Sequence, residues 1–265
     1  MKYKLLAVSV DTGEHVNIGD YIQALAAAQF LPEVDGFVQR ERLKEYDGEA
    51  CKVVMNGWYM HHTEHWPPSD KIKPLFVAFH INASAKEGML TEDSINYIKK
   101  FQPIGCRDYF TRDLLVSKGV DAYFSACLTL TLGMTYKSED KDGKCYFVDP
   151  FIPKGRKGID EICNTLWLLS HCNKWNSIEK IARKLPYKKN FKKRIVACRF
   201  YRAYIRLFTE DTLLEAEYIS QQNVGYRKKY DTEQERLCEA RRLVGKYAKA
   251  GLIVTSRIHC ALPCL

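Results

Sequence analysis

At 265 residues the chain is long enough for two domains, and 46% hydrophobic with 28% charged residues excludes a disordered polypeptide. No apolar run is long enough to span a bilayer, and ten cysteines with neither a signal peptide nor a CxxC pair point to reduced thiols in a cytoplasm rather than a disulfide framework or a structural zinc site. The net charge of +9 is uneven: residues 154–206 hold fifteen basic and three acidic residues, a net +12, which leaves −3 for the rest.

In chain order, "KLLAVSV" reads as a strand and "GDYIQALAAAQFL" as the helix that follows its loop. "CKVVMNG" and "PLFVAFHIN" are strands. "TEDSINYIKKF" is a helix with Thr91 at its N-cap, "PIGCRD" a short strand, "YFTRDLLVSKG" a helix closed by Gly119, and "DAYFSA" another strand. This alternation predicts an α/β sheet, mostly parallel. The polar "YKSEDKDGK" (136–144) reads as a linker with Asp140 and Asp142 in solvent. A second α/β unit follows: the strand "CYFVDP", a mainly helical stretch over 156–217, and the strand "AEYIS". "TEQERLCEARRLVGKYAKAG" is a helix with a Thr232/Glu235 capping box, and "LIVTS" a buried strand. "CALPCL" looks like the start of one more helix, so the second unit is expected to be incomplete at its C-terminus, with Cys260 and Cys264 as two buried small residues.

Open α/β sheets bind ligands beyond the carboxyl ends of their strands, and several residues fall there. In "NIGDYIQALA", Asn17 can cap a helix and Gly19 lets backbone approach an anion. Neither GxGxxG nor GxxxxGK[ST] is present. In "GWYMHHTEHWPP", His61, His62 and His65 invite a metal, but the loop setting and the following Pro67 and Pro68 argue against one. Trp58, Tyr59 and Trp66 offer faces on which a sugar ring can stack, or else a small satellite core. Arg107 presents a guanidinium to an anion or pairs with Asp108. Arg257 and His259, two apart past a strand end, are expected on one side, as an anion clamp beside a proton donor.

"NIGDYIQALA", "GWYMHH…WPP", "PIGCRDYFTRDLL", "AYFSACLTLTL" and "VTSRIHCALPCL", in this order, resemble the polysaccharide pyruvyl transferase family of bacterial surface-glycan synthesis. The resemblance implies two Rossmann-like domains in a GT-B-like arrangement, residues 1–138 on the acceptor side and 139–265 on the donor side. It implies transfer of the enolpyruvyl group of phosphoenolpyruvate to sugar hydroxyls as a ketal, on a free or lipid-linked glycan, with no cofactor or metal. It places the catalytic Arg257 and His259, with Ser256 beside them, at the phosphoenolpyruvate site. Asn17, Gly19, Asp20, Gly57, Trp58, Tyr59 and Arg107 then bind substrate. Cys127 stands where the family often has an aspartate. His15 and His80 are the next acid candidates should His259 prove structural.

Lys188, Lys192, Arg199, Arg202 and Arg206 fall on one helical face. That face is expected to be exposed, outside the cleft, and suited to an anionic membrane, which places the protein in the cytoplasm or at the inner face of the membrane. The competing readings are a GT-B glycosyltransferase with a nucleotide-sugar donor and, in another class, a nucleic-acid-binding protein; the second lacks any recognised motif.

Overall fold

The computed structural model describes residues 1–8, 16–153, 158–186, 191–223, 226 and 229–265. The first half contributes strands β1 (Lys2–Ala7), β2 (Val16–Asn17), β3 (Gly36–Gln39), β4 (Cys51–Val54), β5 (Gly57–Tyr59), β6 (Ile72–Leu75), β7 (Phe79–Ile81), β8 (Ile104–Cys106) and β9 (Ala122–Phe124). The second contributes β10 (Cys145–Val148), β11 (Glu217–Ile219), β12 (Gln222–Asn223) and β13 (Leu252–Thr255).

Two parallel four-stranded sheets, β3-β1-β4-β6 and β5-β7-β8-β9, fill the first half. They continue one another. β4 runs on into β5 and β6 into β7, and across the break Met55 N donates to Leu75 O (2.8 Å) and Gly57 N to Ala78 O (3.2 Å). Gly57 (φ 138°) and Ala78 (φ 55°) leave extended geometry there, which divides each strand in two. Along the composite sheet, β3 lies on one side of β1 and all later strands on the other, a doubly wound order whose crevice opens between β1 and β4–β5.

In the second half β10 lies between β11 and β13, all parallel. β13 is therefore an edge, and its residues are half-buried or exposed, contrary to the buried strand expected from "LIVTS". The expected 136–144 connection carries no helix or strand, but Asp142 is not merely solvated: it accepts from Tyr146 Oη (2.5 Å) and Lys144 N (2.9 Å). The helix Glu233–Lys249 has both halves of the Thr232/Glu235 capping box. Cys260 is buried, whereas Cys264 is exposed.

The helix Ile18–Ala28 joins the halves. It is buried on nearly all sides, because alanines at 24, 26 and 27 let neighbours approach closely. Its side chains share one apolar core with Leu5 and Val54 of the first sheet, Tyr146 and Val148 of the second, and Leu237, Leu243 and Val244 of the helix Glu233–Lys249. The β2–β12 ribbon is antiparallel and also crosses between halves, with Ile18 N donating to Gln221 O (2.8 Å). Separate cores lie under the rest of the first sheet, around Tyr59, Trp66 and Phe79, and under the helices of 159–215, around Phe147, Phe200 and Tyr201.

Candidate active site

The crevice holds a cavity of about 450 Å³. Val8, Arg40, Trp58, His61 and Arg107 line it from strand ends of the first sheet, Asn17 and Asp20 from the start of the helix Ile18–Ala28, and Gln222, Ile258 and His259 from the second half.

The helix start is fixed locally. Asn17 Oδ1 accepts from Gly19 N (3.1 Å), and its Nδ2 donates to Asp20 Oδ2 (3.3 Å). Gln23 Nε2 donates to Asp20 Oδ1 (3.1 Å), and Arg107 Nη1 donates to Gln23 Oε1 (3.4 Å). Gly19 is glycine for a steric reason: a Cβ there would lie 3.0 Å from Gln221 Oε1 and 3.3 Å from His259 Nδ1. Burial pushes the Asp20 carboxyl up, against the opposing pull of Arg40 and Arg107.

His259 is 9% exposed, and its Nε2 is buried with no hydrogen-bond partner among the described residues. Burial, then the charges of Arg107 and Arg257, lower its pKa to about 3, so at neutral pH the ring is an uncharged imidazole. Arg40 is buried, pairs with Glu41 (2.8 Å), and stacks over the Trp58 ring at 5.0 Å. Glu41 accepts from His61 N (2.8 Å) and His62 N (3.0 Å), which fixes the loop carrying His61; that ring packs on Trp58 at 4.5 Å. Cys127 is 6% exposed and bonds Thr129 Oγ1 at 3.1 Å.

A family model for polysaccharide pyruvyl transferases matches residues 17–265. The chain belongs to the polysaccharide pyruvyl transferase family. It is therefore a transferase of pyruvyl groups by family, with a polysaccharide as acceptor class. A search of curated proteins and a search of solved structures each return no match.

Within this pyruvyl transferase fold, most of the residues expected at the site converge. Asn17, Asp20, Trp58, Arg107 and His259 line one cavity, Gly19 packs beneath His259, and Gly57 lies against Gln23. Two expectations change, and one open alternative is decided. Tyr59 is fully buried, ringed by Trp66 and Phe79 in the first core, and Trp66 is 4% exposed; of the three aromatics only Trp58 faces the cavity. Arg257 and His259 do not form one clamp. The strand ends at Thr255 and a helix starts at Ile258, which turns Arg257 away. Arg257 Nε binds Asp149 Oδ2 (3.0 Å), its Nη2 donates to Gln222 Oε1 (2.9 Å), and it lines a second cavity of about 610 Å³ with Phe151, Ser220 and Ser256. Arg107 does not pair with Asp108, whose carboxylate caps Thr111 N (2.8 Å) and bonds His80 Nδ1. That pairing engages His80, and burial first, then Arg107, lowers its pKa. His15 lies outside the described residues.

His62 pairs with Glu64 (3.0 Å) and His65 with Glu45 (3.0 Å). Arg40, Glu41, Gln23, Asp149 and Gln222 went unread. Arg40 and Glu41 follow β3, a four-residue strand whose leading glycine hides its alternation. Gln222 follows "AEYIS", a strand end legible in the sequence, where polar residues were open to the same reasoning as "SRIH".

No helix among the described residues is long and apolar enough to cross a membrane. On the basic helix Phe191–Tyr204, Arg202 is exposed but bonds Asn164 Oδ1 (2.9 Å), Arg199 is half-buried, and Arg206 beyond the helix is exposed. The ridge is thus narrower than the face expected from spacing. Lys188 and the Lys192 side chain lie outside the described residues.

Proposed function

We propose that the chain transfers the pyruvyl group of phosphoenolpyruvate to hydroxyls of a surface-polysaccharide sugar, closing a ketal. The observation that carries this reading is the opposed pair in one cavity: Asp20, pushed toward its protonated form, and His259, held as a neutral base. Two titratable groups each shifted toward the uncharged form in this way suit an acid and a base in one reaction.

Asp20 gives its proton to the methylene carbon of phosphoenolpyruvate, and C2 gains oxocarbenium character. A sugar hydroxyl adds to C2, and His259 takes its proton through Nε2. The carbon–oxygen bond to phosphate then breaks as a second hydroxyl closes the ring, and that hydroxyl's proton leaves on phosphate. Arg107 and the N-terminus of the helix Ile18–Ala28 hold the donor's anionic groups. A bound donor also brings negative charge beside His259, which raises its affinity for the transferred proton. Trp58, backed by Arg40, offers a face to the sugar ring. On this reading the halves correspond to a GT-B arrangement, 1–138 on the acceptor side and 139–265 on the donor side, with no cofactor assigned.

The test is thermal-shift and calorimetric titration with phosphoenolpyruvate, nucleotide sugars and oligonucleotides, followed by phosphate release with a glycan acceptor. Phosphoenolpyruvate alone should stabilise the chain. Asp20→Asn and His259→Gln should each slow phosphate release by about 10²–10⁴-fold while donor affinity stays within a few-fold. Stabilisation by a nucleotide sugar instead would replace this reading with glycosyl transfer.

A further inference from the structure

The helix Ile159–Ser170 is amphipathic in the reverse of the usual sense. Its polar Asn164 is buried (1% exposed) and bonds Arg202, and Leu168 beside it is 7% exposed. Ile159, Ile162, Leu166 and Leu169, spaced by three or four residues and so on one face, are 58–63% exposed, with Cys163 exposed among them. The positions of the helix's two acids, Asp160 and Glu161, fall on the side away from this stripe at helical spacing. Scattered surface apolar residues are ordinary; four isoleucines and leucines in one row over a 12-residue helix mark an interaction surface.

Charge selects the partner. The stripe lies inside the 154–206 segment that carries +12. Lys154, Arg156 and Lys157 immediately precede the helix in sequence. Arg202 stands over the Trp167 ring at 5.4 Å, on the side of the helix where it bonds Asn164. Trp175 follows the helix, is 44% exposed, and has Arg194 over its ring at 5.7 Å. A second copy docked through this helix about a two-fold axis would bring two +12 segments together. A nucleic acid would gain nothing from a row of Ile and Leu. An apolar strip preceded in sequence by three basic residues, in a segment of net +12, matches an anionic bilayer, where the strip enters the acyl boundary and the bases of the segment meet headgroups.

We infer that Ile159–Ser170 is a membrane-surface docking helix, seated on anionic lipid by Ile159, Ile162, Leu166 and Leu169. The inference places the contact on this helix rather than on the 188–206 ridge, and it does not depend on the reaction catalysed.

Vesicle flotation of the full chain tests it, with phosphatidylcholine alone and with about 30% phosphatidylglycerol added. Binding to the anionic vesicles should be at least ~10-fold tighter and should weaken several-fold at high salt. Ile162→Ser/Leu166→Ser should reduce that binding by roughly 10-fold or more with an unchanged melting curve, because both side chains are exposed. Leu166→Phe, which keeps the stripe apolar, should bind as the original chain does. Absence of binding to anionic vesicles, equal binding to neutral ones, or undiminished binding by the double variant would overturn the inference. So would light scattering showing a dimer that the double variant dissolves, which would assign the stripe to self-association.

Discussion

Burial of a neutral imidazole has a thermodynamic signature that needs no substrate. His259 titrates near 6.5 when unfolded and at about 3 in the folded chain. Between those values the unfolded state binds more protons, so stability rises with pH there; His259's contribution is complete above about 6.5 and is lost as pH falls toward 3. At pH 5 the unfolded imidazole is favoured by about 1.5 pH units of protonation, or about 2 kcal/mol. His259→Gln removes this dependence and preserves approximate shape. Asp20, whose pKa is raised, works with the opposite sign, since its folded form retains a proton that the unfolded chain gives up. Measuring both proteins by urea denaturation at pH 7.5 and pH 5, and comparing differences, separates the two. The stability gap between them should shift by about 2 kcal/mol in favour of the variant at pH 5. If the gap is the same at both pH values, His259 is not held neutral and its assignment as base fails.

Gly19→Ala places a methyl 3.3 Å from His259 Nδ1 and 3.0 Å from the buried Gln221, so it should cost about 1–3 kcal/mol in thermal denaturation and slow turnover more than it weakens donor binding. Trp58→Ala should weaken acceptor binding with little loss of stability, whereas Tyr59→Ala, in the first core, should cost about 3–5 kcal/mol in urea midpoint measurements. Arg257→Met leaves the buried Asp149 carboxylate without its cation and should destabilise by about 2–4 kcal/mol; Asp149→Asn in the same chain should recover part of that loss, which a role confined to donor binding would not produce.

Local signals in the sequence were reliable where one residue controls one backbone event. Thr91, Asn17 and the Thr232/Glu235 box cap the helices whose starts they predict, and Gly119 takes the positive φ that ends its helix. The parallel order of strands followed from their alternation with helices. Facing was less legible. "SRIH" placed His259 at the crevice, but i, i+2 spacing puts side chains on one side only while the chain stays extended, and here a helix begins between the two residues. The same limit hid Tyr59: neighbouring residues of a strand face opposite ways, so Trp58 and Tyr59 cannot both reach the cavity. The Arg257–Asp149 pair joins residues more than one hundred apart, and no local pattern announces it.

The ribbon that pairs Val16–Asn17 with Gln222–Asn223 has a mechanical consequence. By connectivity, the helix Ile18–Ala28 belongs to the first half, yet Tyr21 bonds Glu233, Gly19 touches His259, and the ribbon anchors the helix start to the second sheet. A hinge that swung the halves apart would have to tear this stitching or leave the helix behind. The helix is held on its other side as well, where Asn56 Nδ2 donates to Gln23 O (2.7 Å) and Arg107 Nη1 to Gln23 Oε1 (3.4 Å), so it pins the two halves together at the level of Asp20 and His259. Asp20, on this helix, and His259, packed against Gly19, are thereby held at a spacing that neither half sets alone.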